Sequence, residues 1–552
     1  MSPCPTITDA PIPPTTATSQ SESDNGWNES KEALQADTDL SPTSTEDYMD
    51  GVLLHVIMLC LSVAMFLVSL DTTIISTAIP QITDEFSSTA DVGWYGSAFL
   101  LGSAVTQAPW GKLYGFFNLK WTYLICLLTF ELGSLLCALS HTSAAFIVGR
   151  AIAGVGASGI GSGIYTIIGV CAPPRRRPVL VGITGLAFLL ASIAGPMVGG
   201  VFTTKVSWRW CFWVNLPIGG ATFAIVLCFF RTPSVTAHMK ASWKEIIFQL
   251  DLVGIATLTG ALLCLLLGLE WGVSNSWHNR DVIGCLVGFP LLMGLFIANE
   301  FFWDSRAMIP RRLLLKQSVA VNIAFTFLVG GAFFLLLYYM PIYFQAVKGD
   351  SAADSGIRTL PLVLSAGVTA VIGAIGFGVT GYPAPFLLVG GILISVGGGL
   401  LYTLDLATQP RFWIPYQILA GIGIGASLQV PIIMNQAMVE ASDMSTMTSM
   451  TLFFKCLGAS VFMQAGQTIF LDKVKRELLT MSSLADVSAN QILAGGLLTS
   501  KNIDMESSRG FLTAYFFGLK DVFVLVVALS GLATLLALLV GRDKMDMARL
   551  LM

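Results

Sequence analysis

Four ionisable residues stand inside long apolar runs of this chain: Asp71, Glu131, Arg150 and Lys455. A charge inside a bilayer span costs at least about 2.5 kcal/mol and as a rule faces a cavity or a partner. The chemistry open to such residues is the handling of protons and charged cargo. Arg150 stays protonated and so cannot carry a proton itself. It can pair with a carboxylate, and Asp71, at comparable depth in the first run, is the candidate partner. Protonation of Asp71 would then compete with the pair, which would tie proton binding to conformation. A second reading stays open, in which Asp71 caps a helix end and Arg150 bonds backbone carbonyls. Glu131, in the middle of the third run, suits either reversible protonation or a plain hydrogen bond to a neighbouring helix. Lys455, within Phe453-Phe454-Lys455-Cys456, could meet an anionic substrate or neutralise a buried acid.

Those residues need membrane helices to hold them. About fourteen apolar stretches follow one another from Val52 to Val540, each near the roughly 20 residues that cross a hydrocarbon core. Backbone in lipid must satisfy its own hydrogen bonds, so each stretch reads as a helix. Charged residues are 12% of the chain and hydrophobic ones 54%, against about 25% charged in soluble domains. The chain is expected to be an all-α polytopic membrane protein. Its spans fall near 52–78, 93–113, 121–140, 144–170, 179–203, 214–231, 250–270, 281–303, 319–344, 356–380, 384–404, 411–436, 446–470 and 518–540.

Residues 1–50 are rich in Ser, Thr, Pro, Asp and Glu, so they are expected to form a disordered cytoplasmic tail, either a solvated spacer or a site of phosphorylation. The basic start of a cleaved signal peptide is missing there. Two long connections are expected: 232–249, with Lys240, Trp243 and Lys244, and the polar stretch 471–517, read as an extracellular loop. Lys and Arg set the orientation. The sharpest signal is Pro173-Pro174-Arg175-Arg176-Arg177-Pro178; Arg231, Arg311, Arg312 and the tail 541–552, with Arg542, Lys544 and Arg549, fall on the same side. Both termini are therefore predicted cytoplasmic.

Several functions are disfavoured. The cysteines are scattered, with no CxxC and no Cys/His cluster, so neither a metal site nor a disulfide framework is expected. His55, His141, His238 and His278 lie far apart in sequence, and no intramembrane nucleophile or acid–base pair suggests a membrane-embedded enzyme. A GxxxxGK[ST] phosphate loop is absent, which argues against ATP as energy source. No basic stripe points to nucleic acid. No cofactor is expected.

Ala191, Gly195 and Gly199 recur every four residues and make a smooth helix stripe, with Gly182 further back. Such stripes allow close packing, and Pro196 within this one removes a backbone donor and favours a bend. By itself the stripe is an ordinary packing device. The whole run Gly182, Gly195, Pro196, Gly199 and Gly200 resembles the antiporter motif of the major facilitator superfamily, G-x8-G-x3-G-P-x2-G-G, with Ala191 where the family has Gly. In that family the motif marks proton-coupled exporters and is thought to seal a helix interface against leak. Leu70-Asp71-Thr72-Thr73 with Ala78-Ile79-Pro80 resembles the first-span signature of the fourteen-span drug:proton antiporter branch. Trp208-Arg209-Trp210 through Gly219 is similar to that branch's WRWxFxxNxPxG signature, and Gly149-Arg150 with Gly154 and Gly156 to the fourth-span arginine motif. Gly111-Lys112-Leu113-Tyr114-Gly115 resembles the loop between spans two and three, but Gly115 stands where an acid is usual and the basic cluster shrinks to Lys120.

The resemblance covers about 50–540 and implies a major facilitator fold: two six-helix bundles, 51–231 and 317–540, with an inserted helix pair and its loops at 232–316. Spans one and four would flank a central cavity and the third would be peripheral. Trp94, Gln107, Tyr338, Tyr339, Gln429, Asn435, Gln436 and Lys455 are the candidate substrate contacts, although such residues also merely pack helices. The implied activity is proton-coupled export, by alternating access, of a fungal secondary metabolite, toxin or hydrophobic drug. The protein would be a monomer in the plasma membrane, or alternatively the vacuolar membrane, with a small molecule, protons and lipid as its partners. An uptake carrier, for example for iron-siderophore complexes, is opposed by the antiporter motif. A non-transporting sensor would be expected to carry a large folded tail.

Overall fold

A computed structural model describes residues 51–86, 92–173, 175–232, 250–274, 277–303, 307–406, 408–440, 443–479 and 505–541. The tail 1–50, Lys240, Trp243 and Lys244, residues 480–504 and the basic tail from Arg542 lie outside the described residues. The long helices are α1 Gly51–Phe86, α2 Val92–Phe116, α3 Leu119–Leu139, α4 Ser143–Cys171, α5 Arg177–Lys205, α6 Asn215–Phe229, α7 Leu252–Ser274, α8 Arg280–Phe302, α9 Gln317–Ile342, α10 Ala352–Thr380, α11 Ala384–Tyr402, α12 Pro410–Leu428, α13 Met444–Leu479 and α14 Met505–Ala537. A one-turn helix, Trp210–Trp213, precedes α6, and Val430–Ala437 continues α12.

Among the described residues, thirteen helices are long and apolar enough to cross a membrane. The long helix outside that set is α2, which carries Gln107 and Lys112 and packs between α4 and α13. A helix walled by protein needs less hydropathy than one bathed in lipid. The opposite case is α8, where only 11% of its most apolar window is buried.

Local chemistry explains the helix ends. Asn118 caps α3 by accepting from the Lys120 amide at 3.0 Å, and Thr142 caps α4 by accepting from Ala145 N at 3.3 Å. The terminus of α10 is Gly381 at φ 74°, left-handed backbone that glycine adopts without strain. The expected loop from 471 needs correction: α13 runs on to Leu479 and α14 begins at Met505. Two i,i+4 pairs, Lys473–Glu477 at 3.0 Å and Arg476–Asp472 at 2.9 Å, support that polar helical extension.

Helix packing follows one pattern twice. α1 packs on α5, α2 on α4, α3 on α4, and α6 on both α1 and α3. Eight helices later, α9 packs on α13, α10 on α12, α11 on α12, and α14 on both α9 and α11. Two further pairings, α5 with α10 and α13 with α2, join the two groups and exchange under the same offset. The pair α7–α8 has no counterpart. Leu258 and Leu262 of α7 pack with Ala104, Val105 and Ala108 of α2 and with Phe453 of α13, so α7 covers one of the two seams between the groups.

Candidate functional site

The first group of helices is built around a buried ion pair. Arg150, on α4, donates from Nη1 to Asp71 Oδ2 on α1 at 2.5 Å, with both side chains 1% exposed or less. Its Nε donates to the Tyr95 carbonyl at 3.0 Å, and its guanidinium lies 4.6 Å from the Phe99 ring centre and 5.8 Å from that of Phe212. Asp71 Oδ1 accepts from Asn215 Nδ2 at 3.2 Å, and the same amide nitrogen lies 3.2 Å from Ser134 Oγ. Five helices therefore converge on two charges, which is what such a pair requires when no water surrounds it. Arg150 thus pairs with a carboxylate and also bonds a backbone carbonyl.

The Trp208–Gly219 segment explains itself here. Trp208 Nε1 and Arg209 Nη1 both donate to Glu85 Oε2, at 2.7 and 2.9 Å, and Arg209 Nη2 donates to the Ser140 carbonyl at 2.8 Å. This ties the ends of α1 and α3 to the turn before α6. The Arg209 guanidinium holds the Glu85 carboxyl below its ordinary value, and the Trp208 donor adds to it. Phe146 packs edge-on against Tyr95, Trp208 and Phe212, roofing the ion pair. One turn after Asn215, a Cβ on Gly219 would fall on the Glu131 carboxylate, so this glycine makes room for an acid.

Glu131 therefore lies against α6, one turn from Asn215. Its two carboxylate oxygens, like Asn215 Oδ1, are buried and accept no hydrogen bond among the described residues. Buried acceptors left without a donor are uncommon in folded proteins and mark this corner of the helix group. Asn215, Ser134 and Gly219 were not singled out as site residues from sequence. The i,i+4 spacing of Asn215 and Gly219 on α6 was the available signal.

The antiporter-like motif divides between two neighbours. A Cβ on Gly195 or Gly199 would strike Thr73, Thr77 or Ile74, so the stripe with Ala191 seats α5 on α1 directly beside Asp71. Gly182 instead faces Val371 of α10, where an added Cβ would lie 2.8 Å from the Val371 Cα. Gly200 faces open space, although its carbonyl accepts from Thr203 Oγ1 at 3.1 Å. Pro196 stands inside α5, which continues to Lys205.

The other candidates separate by what they touch. Gln107 bonds Ser162 Oγ at 2.5 Å and Ser158 O at 3.3 Å, joining α2 to α4. Asn435 is fully buried, accepting from Asn322 at 2.8 Å and donating to Thr451 at 2.8 Å. Tyr339, 2% exposed, packs on Phe470 of α13. These three have side chains spent on packing. Trp94 is half-buried at the start of α2. Gln429 sits at the break in α12, next to Pro431, which has no N–H to continue the helix. Its Oε1 accepts from Tyr165 OH at 3.4 Å, and Gln436 Nε2 donates to the Tyr165 carbonyl at 3.1 Å. These bonds run from one helix group to the other. Gly169 against Met444, Gly111 against Ser449 and Gly115 against Ser445 extend the closure at the end where α2 and α4 finish and α13 starts. Tyr338 is 39% exposed, and Lys455 is half-buried with its ammonium 5.6 Å from the Phe188 ring centre on α5.

Comparison with known proteins fits this architecture. The Major Facilitator Superfamily profile matches residues 61–463, and the chain belongs to that superfamily: it is a multi-pass membrane transporter, not an enzyme. The chain is 40% identical over 531 residues to the MFS-type transporter thnB of Trichoderma harzianum, covering 95% of this chain and 91% of that protein. It is 39% identical to the MFS-type efflux pump MFS1 of Arthroderma benhamiae, with 89% and 92% covered. It is 40% identical to the aspyridones efflux protein of Neocamarosporium betae, with 79% and 78% covered. Among solved structures, the proton:xylose symporter XylE superposes with a TM-score of 0.54 at 13% identity, over 90% of this chain and 98% of that one, which is a likeness of fold.

Proposed function

We propose that this transporter is a proton-coupled exporter of small amphipathic molecules, in nature a fungal secondary metabolite or toxin, working by alternating access. The observation that carries the reading is the buried Asp71–Arg150 pair with Asn215 on its free side and the unpartnered Glu131 carboxylate close by. Protonating Asp71 removes one charge of a desolvated pair and leaves Arg150 to its carbonyl and ring contacts. That changes what holds α1 to α4, and α1 is the helix on which the α5 glycine stripe is seated. Proton arrival thus has a mechanical consequence for α5, and α5 is one of the helices that meets the second group. Glu131 is a second place for the proton to rest.

Export rather than uptake is favoured by the glycine run on α5 and by relatives named as efflux pumps. The basic 173–178 connection supports a cytoplasmic position for the closed end of the helix groups and for both termini, and the plasma membrane is the location proposed here, with the vacuolar membrane as the alternative. The working unit is a monomer with an N-terminal bundle, an inserted pair and a C-terminal bundle.

Transport into inside-out vesicles made acid inside tests this. Gradient-driven uptake of hydrophobic metabolites or dyes is expected, abolished by an uncoupler and reduced to background by Arg150→Ala. Removing one partner of a buried pair costs about 3–5 kcal/mol, so the variant's folding must be checked by gel filtration. Uptake unaffected by the uncoupler would overturn the proton-coupled reading.

A further inference from the structure

We infer that the space between the two helix groups holds a binding site for an organic anion on an aromatic or conjugated body, with Lys455 as its charge partner. The inference rests on the transport reading above and names the class of cargo. Lys455 projects from α13 on the side away from Phe453 and Leu457, which pack into the α2–α7 seam. Its ammonium lies 5.6 Å from the Phe188 ring centre, on α5 of the other group. Among the described residues no carboxylate pairs with it, and the Phe188 ring is the group its ammonium meets. Neutralisation of a buried acid is therefore not its part. An ammonium has three donors, and a single ring face leaves them largely unanswered.

The surroundings are of matching chemistry. Phe188 lies 6.3 Å from Phe334 on α9, and Tyr338 stands one turn further along the same face. Phe188 and Phe334 are half-buried, and Tyr338 is 39% exposed. These side chains come from α5, α9 and α13, and so from both helix groups. Gln429 and Tyr165 bond across the two groups. Apolar walls with one placed charge are the usual make-up of a small-molecule site. A carboxylate, or an acidic enol or phenol, satisfies Lys455 while a flat body lies among the rings. A neutral cargo leaves the ammonium unpaired, and a cationic one is repelled.

The test uses purified protein in nanodiscs and two fluorescent probes, 1-pyrenebutyrate and its methyl ester. Wild type is expected to bind the carboxylate about tenfold more tightly than the ester beyond any difference seen with empty nanodiscs. Lys455→Gln should erase that ratio and Lys455→Arg should keep it. Phe334→Leu should weaken both probes with the ratio unchanged. Equal affinity of wild type for the two probes, no binding of either by folded protein, or a ratio that survives Lys455→Gln overturns the inference. Binding is read without a proton gradient. Anion-selective binding with no gradient-driven uptake would sink the transport reading alone, and uptake without anion preference would sink this one alone.

Discussion

Asp71 and Arg150 were legible as a pair because intramembrane charges are expensive and their depths matched. What the sequence concealed was the support. Asn215 is one more polar residue in a motif until the fold brings it within 3.2 Å of both Asp71 and Ser134. Glu131 was legible as an intramembrane acid, but not that Gly219 of α6 makes room for its carboxylate. For Gln107 and Asn435 the sequence leaves both a ligand contact and a helix seam open, and the structure shows hydrogen bonds across helix seams. Glu85 belongs to this scale too. Its carboxyl is held below the ordinary 4.5 chiefly by Arg209, so its stabilisation is present above that value and lost as pH falls through the folded-state value. Being 45% exposed, the contact is screened and worth under about 1 kcal/mol. Glu85→Gln should therefore melt slightly below wild type at pH 6, with the difference shrinking as pH falls below 4.5, as followed by thermal melts in detergent.

At the scale of the element, apolar length gave the helices and missed their ends. The polar extension of α13 beyond 470 holds no hydropathy signal, only charge pairs that make sense once the backbone is helical. The α5 stripe was readable as a packing surface, but not which neighbour each glycine meets. That division gives a sharp expectation. Gly195→Val must push α5 off Thr73 and Ile74 and should abolish transport or lower the yield of folded protein. Gly200→Ala meets open space and should leave both within about twofold of wild type, a helix-interior alanine being if anything favoured. Expression, gel filtration and vesicle uptake of the two variants provide the comparison; equal damage from both would mean that the stripe is not the seat of α5 on α1.

For the whole molecule, the repeated packing pattern is invisible in composition, because helix pairs equivalent under the eight-helix offset share a geometry without sharing residues. The closure between the groups is likewise a property of the assembled bundle. If the cycle opens that end, Gly169→Cys with Met444→Cys, in a background without other accessible thiols, should stop uptake on oxidation and recover on reduction. Full activity of the cross-linked protein would mean that the groups do not part there. One asymmetry remains. α7 rests on both α2 and α13, so any rocking of the groups makes α7 travel with one and slip over the other. The slipping faces are Leu, Ala and Phe side chains, and in a bilayer whatever they uncover is met by hydrocarbon as apolar as they are. The membrane thus lubricates this seam: displacement along it forfeits packing but incurs no penalty from water, so the resistance to motion there depends on how readily lipid chains enter and leave a moving crevice.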